Sequence, residues 1–561
     1  MLEDVRFILR DVLGEPETYD DVLEGAAAVC RELLAPLNAP GDAEGATFVE
    51  GAVRTPAGFR EAYATFARDG WVGLTAAEEH GGAALPHVVG SVLEELTCAA
   101  NLSFATYAGL TAGAYRAVLL HGDAEQQARL LPPLAAGTST GTMCLTEAHA
   151  GTDLGLIRTR AEPTGDGRYR LSGQKIFITA GEHDLTEDIL HLVLARLPDA
   201  PAGTRGISLF AVPRRLEDGS RNGVTCVSLE HKMGIRASAT CTLAFEGALG
   251  ELVGEPHRGM RAMFTMMNAA RLGVGIQGLA LAQAAYERAA DYARTRLQGR
   301  SLAGPARPDL EADPIIVHPD IRRTLLRIRS QVEGGRALAL WVSAELDRSE
   351  HGDAAAADLV ALMTPIVKAG LTDLGSEATN LALGVFGGHG YIRETGMEQL
   401  VRDARIAQIY EGTNAVQALD LVGRKLPEGA GRLLRRFFHP SAALLSEAVG
   451  DERIADVAIP AQAALERLRR ATLWLADHAP ADPEEAGAAA TEYLRLFHLT
   501  AVGVLWVRMA RAAVERDDAF GAVKLQTAQF YAARILPETA GLVRQVTAGK
   551  ATLMAPDAAS F

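Results

Sequence analysis

The sequence predicts a mainly α-helical protein with a β domain inserted between helical domains. Apolar residues recur at helical spacing up to about residue 137, and about seven short runs of β-forming residues follow. From residue 256 the spacing is helical again and stays so to the end of the 561-residue chain. Short strands bracketed by helical sequence indicate a compact β domain within a helical protein.

Composition and charge exclude several classes of protein. The chain is 48% hydrophobic and 22% charged, which is typical of a globular protein, and its length allows several domains. A net charge of -15 argues against nucleic acid as a partner. The five cysteines are widely spaced, so neither a disulfide framework nor a metal site is expected.

The location of the protein is also predicted from simple features. The N-terminus, Met1–Asp4, is acidic where a signal peptide would be basic. The longest apolar candidate, Leu496–Val507, is interrupted by His498 and Thr500, so no transmembrane segment is expected. The cysteine usage fits a reducing compartment. We therefore expect a cytoplasmic protein.

Residues 1–137 are predicted to form an N-terminal helical domain. Breaks are expected at Pro36–Pro40 and Glu79–Gly82, because proline and glycine interrupt helical spacing. The helical runs between these breaks are Val22–Leu34, Phe59–Phe66, Val88–Leu96 and Leu110–Leu120.

Residues 138–255 are predicted to form the middle β domain. Glycine and proline lie between many of its short runs, as turns between strands require. The predicted strands are Thr140–Thr146, Tyr169–Leu171, Lys175–Thr179, His191–Ala195, Ile207–Val212, Val224–Leu229 and Cys241–Phe245.

Residues 256–426 are predicted to form a helical bundle, because their long helices have alanine-rich faces that pack closely. Residues 427–561 are predicted to be a further helical domain. It begins with a basic cluster, Arg432, Arg435 and Arg436, which we interpret as solvated charge. The helices of the two regions are Gly259–Leu297, Pro319–Arg348, Asp353–Leu383, Ile459–Ala476, Ala488–Glu515 and Ala519–Leu536.

Glu411 is the candidate catalytic carboxylate, because it lies in a turn just before a predicted helix. Asn414 is predicted to be the N-cap of that helix, and Gln417 completes a capping-box pattern. A carboxylate held by the backbone suits a proton-abstracting base. The local pattern alone favours a simpler interpretation, a solvated turn residue that interacts with the helix dipole.

Three short stretches around Glu411 resemble the signatures of a known family. Arg402–Asp403, Ile409–Thr413 and Gly387–Tyr391 resemble the catalytic-base and flavin-binding signatures of the acyl-CoA dehydrogenases. This resemblance implies the order of domains already predicted from periodicity. It also makes Glu411 the base, since the position that serves as base in a minority of the family is Ala270 here.

The resemblance extends to the long bacterial branch of the family, which has a C-terminal helical extension and includes the 3-methylmercaptopropionyl-CoA dehydrogenases. The stretches shared with that branch are Glu182–Leu185, Glu230–Gly234 and Phe264–Asn268.

The segments Met143–Asp153 and Gly173–Ala180 resemble the two flavin-binding segments of the family. Alone, the first could be a strand and turn with no ligand, and Phe177 could equally be a core residue of a buried strand. The residues that the resemblance assigns to FAD here are Met143, Leu145, Thr146, Gly151, Thr152, Phe177, Ile178 and Thr179.

The resemblance implies further contacts to FAD and to the substrate. Arg296 and Gln298 match residues that bind the cofactor pyrophosphate of the neighbouring subunit, as arginine geometry favours. Arg271 also matches the family, although a helix-surface salt bridge is an ordinary alternative. The remaining assignments are Gly387, Gly388, Thr413 and Asn414 to the cofactor, and Thr152, Asn268, Arg271, Tyr410 and Gly412 to the substrate.

The implied reaction is α,β-dehydrogenation of an acyl-CoA to the trans-2-enoyl-CoA. Glu411 would remove the α-proton, the β-hydrogen would leave as hydride to flavin N5, and the N–H of Glu411 would polarise the thioester carbonyl. Electrons would pass to an electron-transfer flavoprotein. The extension implies a homodimer, because in long members it covers a second dimer surface.

Two alternatives stay open at this point. An acyl-CoA oxidase would perform the same first half of the reaction and use O₂ as its oxidant. A non-catalytic, DNA-associated flavoprotein of the alkylation-response branch would bind flavin without this chemistry. The acidic charge balance argues against the second alternative.

Overall fold

A computed structural model describes residues 1–15 and 19–561 of the chain. The described chain forms two compact units. The sheet unit comprises Glu24–Gly273, and the bundle unit comprises Met1–Leu23 together with Val274–Phe561. The predicted fold class is confirmed, since a β domain lies between helical segments and further helices follow the bundle.

The sheet unit begins with helices that enclose one side of its core. Its longest helix is interrupted at Asn101, where the backbone is extended (φ −160°, ψ 91°) and the side-chain oxygen accepts a hydrogen bond from the N–H of Phe104. The two helices predicted between residues 88 and 120 are therefore one helical run with a break. The helices are α1 (Leu2–Phe7, in the bundle unit), α2 (Asp20–Val29), α3 (Asn38–Glu44), α4 (Phe59–Arg68), α5 (His87–His121) and α6 (Ala124–Ala135).

The strands of the sheet unit form one hairpin and one seven-stranded sheet. The sheet order is β3-β6-β4-β5-β9-β7, with β8 on β9, and an additional pairing of β6 with β7 closes five of these strands into a ring. The strands are β1 (Thr47–Val49), β2 (Ala52–Arg54), β3 (Ser139–Cys144), β4 (Arg160–Pro163), β5 (Tyr169–Thr179), β6 (Asp188–Arg196), β7 (Ile207–Pro213), β8 (Val224–Leu229) and β9 (Thr240–Val253).

Several strand predictions differ from the structure. The runs predicted at Tyr169–Leu171 and Lys175–Thr179 form the single strand β5, because its pairing with β9 continues across Gly173. The sequence analysis missed β4, whose exposed residues lack a clear alternation. The core of this unit lies where α5 and α6 face the sheet and includes Leu131, Leu192 and Met263.

The bundle unit contains the long helices that the sequence predicted. Helices α7 and α9 pass very close to each other, since a Cβ atom on Gly278 would lie 2.3 Å from the carbonyl oxygen of Leu371. Small residues at the crossing therefore allow the close packing that was expected of a bundle. The helices are α7 (Gly259–Thr295, of which residues 259–273 belong to the sheet unit), α8 (Pro319–Glu350), α9 (Ala354–Val385), α10 (Met397–Arg405) and α11 (Asn414–Asp420).

The C-terminal extension packs into the bundle unit. Trp506 of its longest helix is buried and donates a hydrogen bond to the carbonyl oxygen of Ser330 at 2.9 Å. The first helix of the extension was not predicted, and in it Arg432 and Arg436 both pair with Asp358. The helices are α12 (Arg432–Ala448), α13 (Ala455–His478), α14 (Pro483–Ala513), α15 (Ala519–Arg534), α16 (Glu538–Val546) and α17 (Ala551–Met554).

Two helices of the described chain, α9 and α14, are long and apolar enough to cross a membrane. Their most apolar windows are 67% and 83% buried inside the protein. Core helices of globular proteins have the same length and composition, so these helices are weak evidence for a membrane span.

Candidate active site

Glu411 lies in a turn whose backbone is left-handed at two successive residues. Its φ is 56°, and that of Gly412 is 83°. Glycine adopts this conformation freely, but a residue with a Cβ atom does so at a cost of about 1 to 2 kcal/mol. Such a conformation persists only where surrounding contacts fix it. The half-buried Glu411 is therefore held in place by its neighbours.

The cap of the following helix differs from the prediction. Thr413, not Asn414, is the N-cap of α11, and its hydroxyl accepts a hydrogen bond from the N–H of Val416 at 3.2 Å. The predicted capping box is wrong, because Gln417 does not reach the cap. Its side-chain amide instead donates to the carbonyl oxygens of Glu411 and Gly412, at 3.1 and 3.5 Å.

Lys368 of α9 contacts the same turn, and sequence reasoning missed it. Its side chain is fully buried, and Nζ donates to the carbonyl oxygen of Gly412 and to Oδ1 of Asn414, both at 2.9 Å. Nδ2 of Asn414 donates in turn to Oδ1 of Asp373 at 2.7 Å. A lysine within an apolar helix run is a signal that Lys368 is buried, but it does not identify the partner.

Tyr410 fixes the other side of the turn. Its hydroxyl donates a hydrogen bond to Oε1 of Gln277 on α7. The signature residue Arg402 pairs with Glu398 within α10, and Asp403 is buried. The turn is thus bound to α7 through Tyr410 and to α9 through Lys368.

In the sheet unit, an ion pair connects the two predicted flavin segments. Nζ of Lys175, which is fully buried, contacts Oε1 of Glu147 and the carbonyl oxygen of Leu145, both at 2.9 Å. Burial alone would raise the pKa of Glu147, but the Lys175 ammonium and donors from Thr159 and Arg158 lower that pKa to about 2. Glu147 is therefore an ionised structural carboxylate that holds the segments together.

Phe177 is turned out of the sheet. The register between β5 and β9 shifts between Lys175 and Ile178, and Phe177 has a φ of 59°. Its side chain is 59% exposed, whereas Ile178 is 2% exposed. The alternative that Phe177 is a core residue is therefore wrong, and the exposed ring is available to stack on a planar ligand.

The other residues assigned to the first flavin segment lie on β3 and in the loop after it. Leu145 is buried, Met143 and Thr146 are half-buried, and Gly151 and Thr152 are exposed. The carbonyl oxygen of Thr146 accepts a hydrogen bond from the N–H of Ile176 at 2.9 Å. The structure thus brings this segment beside Phe177, Ile178 and Thr179.

Arg271 and Asn268 lie together on α7, within the sheet unit. The Arg271 guanidinium donates to Oδ1 of Asn268 at 3.2 Å and lies 5.8 Å from the centroid of the Phe264 ring. Arg271 is only 5% exposed, so it is not a helix-surface residue.

The phosphate-binding candidates form two exposed segments of the bundle unit. Arg296 and Gln298 follow α7 in a loop that is organised around the buried Asp313, which accepts backbone N–H groups of three loop residues. Gly387 has a φ of 59°, and a Cβ atom on Gly388 would meet open space, so a ligand can approach this backbone closely.

The predicted site residues thus fall into sets within each unit. The sheet unit brings the residues of 143–152 beside those of 177–179 and pairs Asn268 with Arg271. The bundle unit brings Tyr410, Glu411, Gly412, Thr413 and Asn414 into one hydrogen-bonded turn. A fixed carboxylate beside oriented peptide groups can remove a proton from a carbon acid.

The sequence matches models of known protein families. Four family models match successive parts of the chain: the N-terminal domain (16–138), the middle domain (142–248) and the C-terminal domain (257–426) of acyl-CoA dehydrogenases, and an acetyl-CoA dehydrogenase C-terminal like domain (438–557).

The similarity to individual proteins covers almost the whole chain. A 3-methylmercaptopropionyl-CoA dehydrogenase of Ruegeria pomeroyi is 43% identical over 97% of this chain and 97% of its own. ACDH-11 of Caenorhabditis elegans, solved in complex with C11-CoA, matches with a TM-score of 0.80 and 21% identity over 95% of this chain and 90% of its own. An acyl-CoA dehydrogenase of Bacillus anthracis complexed with FAD matches with a TM-score of 0.78 and 21% identity, over 96% and 91%.

Proposed function

Because the chain belongs to the acyl-CoA dehydrogenase family, we propose that it oxidises an acyl-CoA thioester to the trans-2-enoyl-CoA, with Glu411 as the base and FAD as cofactor. The observation that carries this proposal is the left-handed turn that holds Glu411 by contacts to its own carbonyl oxygen and to that of Gly412. A base in a fixed position is what abstraction of a weakly acidic α-proton requires.

The residues of the turn have separate roles in the proposed reaction. The Glu411 carboxylate takes the α-proton, and the N–H of Glu411 donates to the thioester carbonyl oxygen, on which negative charge develops. Bound FAD supplies a hydride acceptor for the β-hydrogen. The Cα–H and Cβ–H bonds break and a C=C bond forms. We assign substrate contacts also to Thr152, Asn268, Arg271, Tyr410 and Gly412.

The sheet-unit residues fit a flavin. Phe177 offers an exposed aromatic face, and the half-buried Met143 and Thr146 lie in the adjacent segment. Lys175 and Glu147 hold both segments in register. We assign Arg296, Gln298, Gly387, Gly388, Thr413 and Asn414 to the remainder of the cofactor, because arginine and open glycine backbone suit phosphate groups.

The proposal also covers the electron acceptor, the oligomeric state and the cellular location of the enzyme. We propose that an electron-transfer flavoprotein removes the electrons and that the enzyme is a cytoplasmic homodimer acting in fatty acid oxidation. The 43% identical relative makes 3-methylmercaptopropionyl-CoA the first substrate to test, beside straight-chain thioesters. The packing of α14 on α8 supports the dimer, because it covers a bundle surface.

The test is anaerobic bleaching of the flavin-loaded protein by a panel of acyl-CoAs, with Glu411→Gln as the variant. Fast bleaching by one class of thioester, lost in the variant with flavin still bound, is the expected result. Glu50→Gln is the matched control, because Glu50 also has a positive φ of 52° but lies in the turn between β1 and β2. Bleaching that survives in Glu411→Gln would remove Glu411 from its role.

The two alternatives predict different results in the same experiment. An acyl-CoA oxidase would bleach and then regain its colour rapidly in air without an electron-transfer flavoprotein. A non-catalytic flavoprotein would not bleach with any thioester. A DNA mobility-shift assay at low salt would then test nucleic-acid binding.

A further inference from the structure

We propose that Lys368 is a positioning residue for the base: its buried ammonium group fixes the peptide that follows Glu411. This inference rests on the proposed function of Glu411. It goes beyond that function because Lys368 lies 43 positions before Glu411 in the chain and on a different element, α9.

The position of the ammonium group is determined by its acceptors. Nζ of Lys368 donates to the carbonyl oxygen of Gly412 and to Oδ1 of Asn414, both at 2.9 Å, and the side chain is fully buried. Burying an ammonium group without acceptors costs several kcal/mol of hydration free energy. Moving either acceptor away from Nζ is therefore unfavourable. The Gly412 carbonyl is therefore tied to α9.

The amide of Asn414 orients this contact. Its Oδ1 accepts from Lys368 while its Nδ2 donates to Oδ1 of Asp373 at 2.7 Å. Oδ1 of Asp373 also accepts from Nε2 of Gln408 at 2.6 Å, three residues before Glu411. The amide thus connects a cation to an anion, and rotating it by half a turn would place like partners together. Both sides of the turn are bound to the same helix.

The turn needs such support because of its backbone conformation. Glu411 and Gly412 are both left-handed, and the contacts from Lys368 and Gln417 meet the carbonyl oxygens of these two residues. Without Lys368, the Gly412 carbonyl oxygen keeps the long 3.5 Å contact from Gln417, so the peptide between Gly412 and Thr413 can rotate more easily and Glu411 can relax toward a right-handed conformation. This relaxation would displace both the carboxylate and the N–H of Glu411 from the positions that they hold in the turn.

The expected consequence is a loss of rate that is larger than the loss of binding. A displacement of about 1 Å at a reacting group can lower a rate by roughly 100-fold. Lys368 binds the carbonyl oxygen of Gly412, which we assign to the substrate, and the side chain of Asn414, which we assign to the cofactor. Thioester affinity and flavin content should therefore also fall in Lys368→Met, but by smaller factors than the rate of the proton-transfer step.

An acyl-CoA with sulfur in place of the β-carbon isolates that step. It has α-hydrogens but no β-hydrogen to lose as hydride, so it can exchange its α-hydrogens with D₂O and cannot be oxidised. Deuterium incorporation measured by mass spectrometry reports the base alone. We expect Lys368→Met to exchange roughly 10- to 100-fold more slowly than the wild type. Thioester affinity should fall by no more than about threefold, roughly 0.65 kcal/mol, and flavin content should fall by a smaller factor than the exchange rate.

Lys524→Met is the matched control. Lys524 is also a buried lysine of the bundle unit, and its ammonium binds the carboxylates of Asp4 and Glu333. Its loss should lower stability and leave the exchange rate unchanged. A similar loss of exchange in both variants would overturn the proposal, because the effect would then follow stability alone.

Two further measurements keep the proposal falsifiable. Gln417 donates to the carbonyl oxygens of Glu411 and Gly412, and Lys368 binds the second of these. The double variant of Gln417→Met and Lys368→Met should therefore lose less than the product of the single losses. If Lys368→Met does not fold, Asp373→Asn weakens the same network and should slow exchange by a smaller factor. The proposal would be overturned if folded Lys368→Met exchanged at the wild-type rate. If Lys368→Met does not fold, a wild-type exchange rate in Asp373→Asn would overturn it. A wild type that neither bleaches nor exchanges with any thioester would instead refute the proposed function.

Discussion

Glu94 is a carboxyl group on α5 that packs against the backbone of α7 within the sheet unit. A Cβ atom on Gly273 would lie 2.4 Å from its Oε1, so the glycine lets the carboxyl group lie against the helix backbone. Burial raises the pKa of Glu94 from 4.5 to about 7. The folded state therefore binds this proton more tightly than the unfolded state, and stability is lost as pH rises from about 4.5 to about 7.

Glu94→Gln should remove that loss. At pH 8 the ionised Glu94 costs the folded state about 3 kcal/mol, so the variant should be more stable than the wild type there and similar to it at pH 5. Urea denaturation at the two pH values measures the difference. The exposed Glu162 of β4 provides the control, since Glu162→Gln replaces a side chain in solvent and should change stability by less than about 0.5 kcal/mol. A stability gain of equal size at pH 5 would contradict the argument.

Phe177 offers a second prediction at the level of one side chain. Because its ring is 59% exposed, Phe177→Ala should change the stability of the flavin-free protein by less than about 0.5 kcal/mol. Loss of stacking should weaken FAD binding by about 1 kcal/mol, roughly fivefold. Titration of the apoprotein with FAD and thermal denaturation measure the two effects. A large loss of stability with unchanged FAD affinity would mean that the ring serves the fold instead.

At this scale the sequence predicts residue types better than their surroundings. Resemblance identified an aromatic residue at position 177, but its exposure depends on the register shift opposite β9. The helix cap was displaced by one residue, to Thr413, because both residues have side chains that can cap. Lys368 could not be predicted as a partner of Gly412, because nothing local to either residue indicates the contact.

At the level of elements, β3 and β5 are joined by side chains as well as by the sheet. Lys175 on β5 binds both the carbonyl oxygen of Leu145 and the carboxylate of Glu147, just beyond β3. Glu147 also accepts from the N–H and hydroxyl of Thr159 before β4, at 3.0 and 2.6 Å. One buried ion pair therefore sets the spacing of three segments.

Removing one member of this pair should cost more than removing both. Lys175→Met leaves the Glu147 carboxylate buried without its cation, which should destabilise the protein by about 3 to 5 kcal/mol and weaken flavin binding. The double variant Lys175→Met/Glu147→Gln leaves no buried charge and should be more stable than Lys175→Met alone. Chemical denaturation of the two variants measures this. A double variant no more stable than Lys175→Met would show that the pair does not act as a unit.

Element predictions succeed where apolar spacing is strong. The long helices α7, α8 and α9 begin and end within two residues of their predicted limits. The middle of α5 was missed, because its buried side chains there include Thr97, Ser103 and Thr106, which do not mark an apolar face. Helix α12 was missed for a related reason, since it begins with arginines and contains Pro440.

At the level of the whole molecule, the first residues of the chain are bound to its last helices. The carboxylate of Asp4 pairs with Arg336 of α8 and with Lys524 of α15, partners 332 and 520 positions away. Lys524 also binds Oε2 of Glu333 at 2.5 Å. Both cations are at most 1% exposed. Pairings of this range leave no pattern in a local sequence window, so periodicity could not predict them.

The charge balance of this cluster has a consequence for acid stability. Burial alone would raise the pKa of Asp4, but Lys524 and Arg336 lower it below its usual value of 3.8. A depressed pKa in the folded state means that the carboxylate stabilises the protein above about pH 4 and that this contribution is lost as pH falls further. The bundle unit should therefore lose stability in acid at its N-terminal segment.

Asp4→Asn tests whether the chain ends stabilise each other through this cluster. The variant keeps the shape of the side chain but leaves Lys524 and Arg336 with one anion fewer in a buried site, so a loss of about 3 to 5 kcal/mol is expected at pH 7. Asp11→Asn is the control, because Asp11 also binds a distant partner, Arg516, at 3.1 Å, but both side chains are about one-third exposed. Exposed pairs contribute less than about 1 kcal/mol. Denaturation at pH 7 compares the variants, and hydrogen exchange in α15 should rise only in Asp4→Asn, because opening there separates Lys524 from Asp4. Equal losses in the two variants would show that the buried cluster around Asp4 stabilises the bundle unit no more than the exposed Asp11–Arg516 pair does.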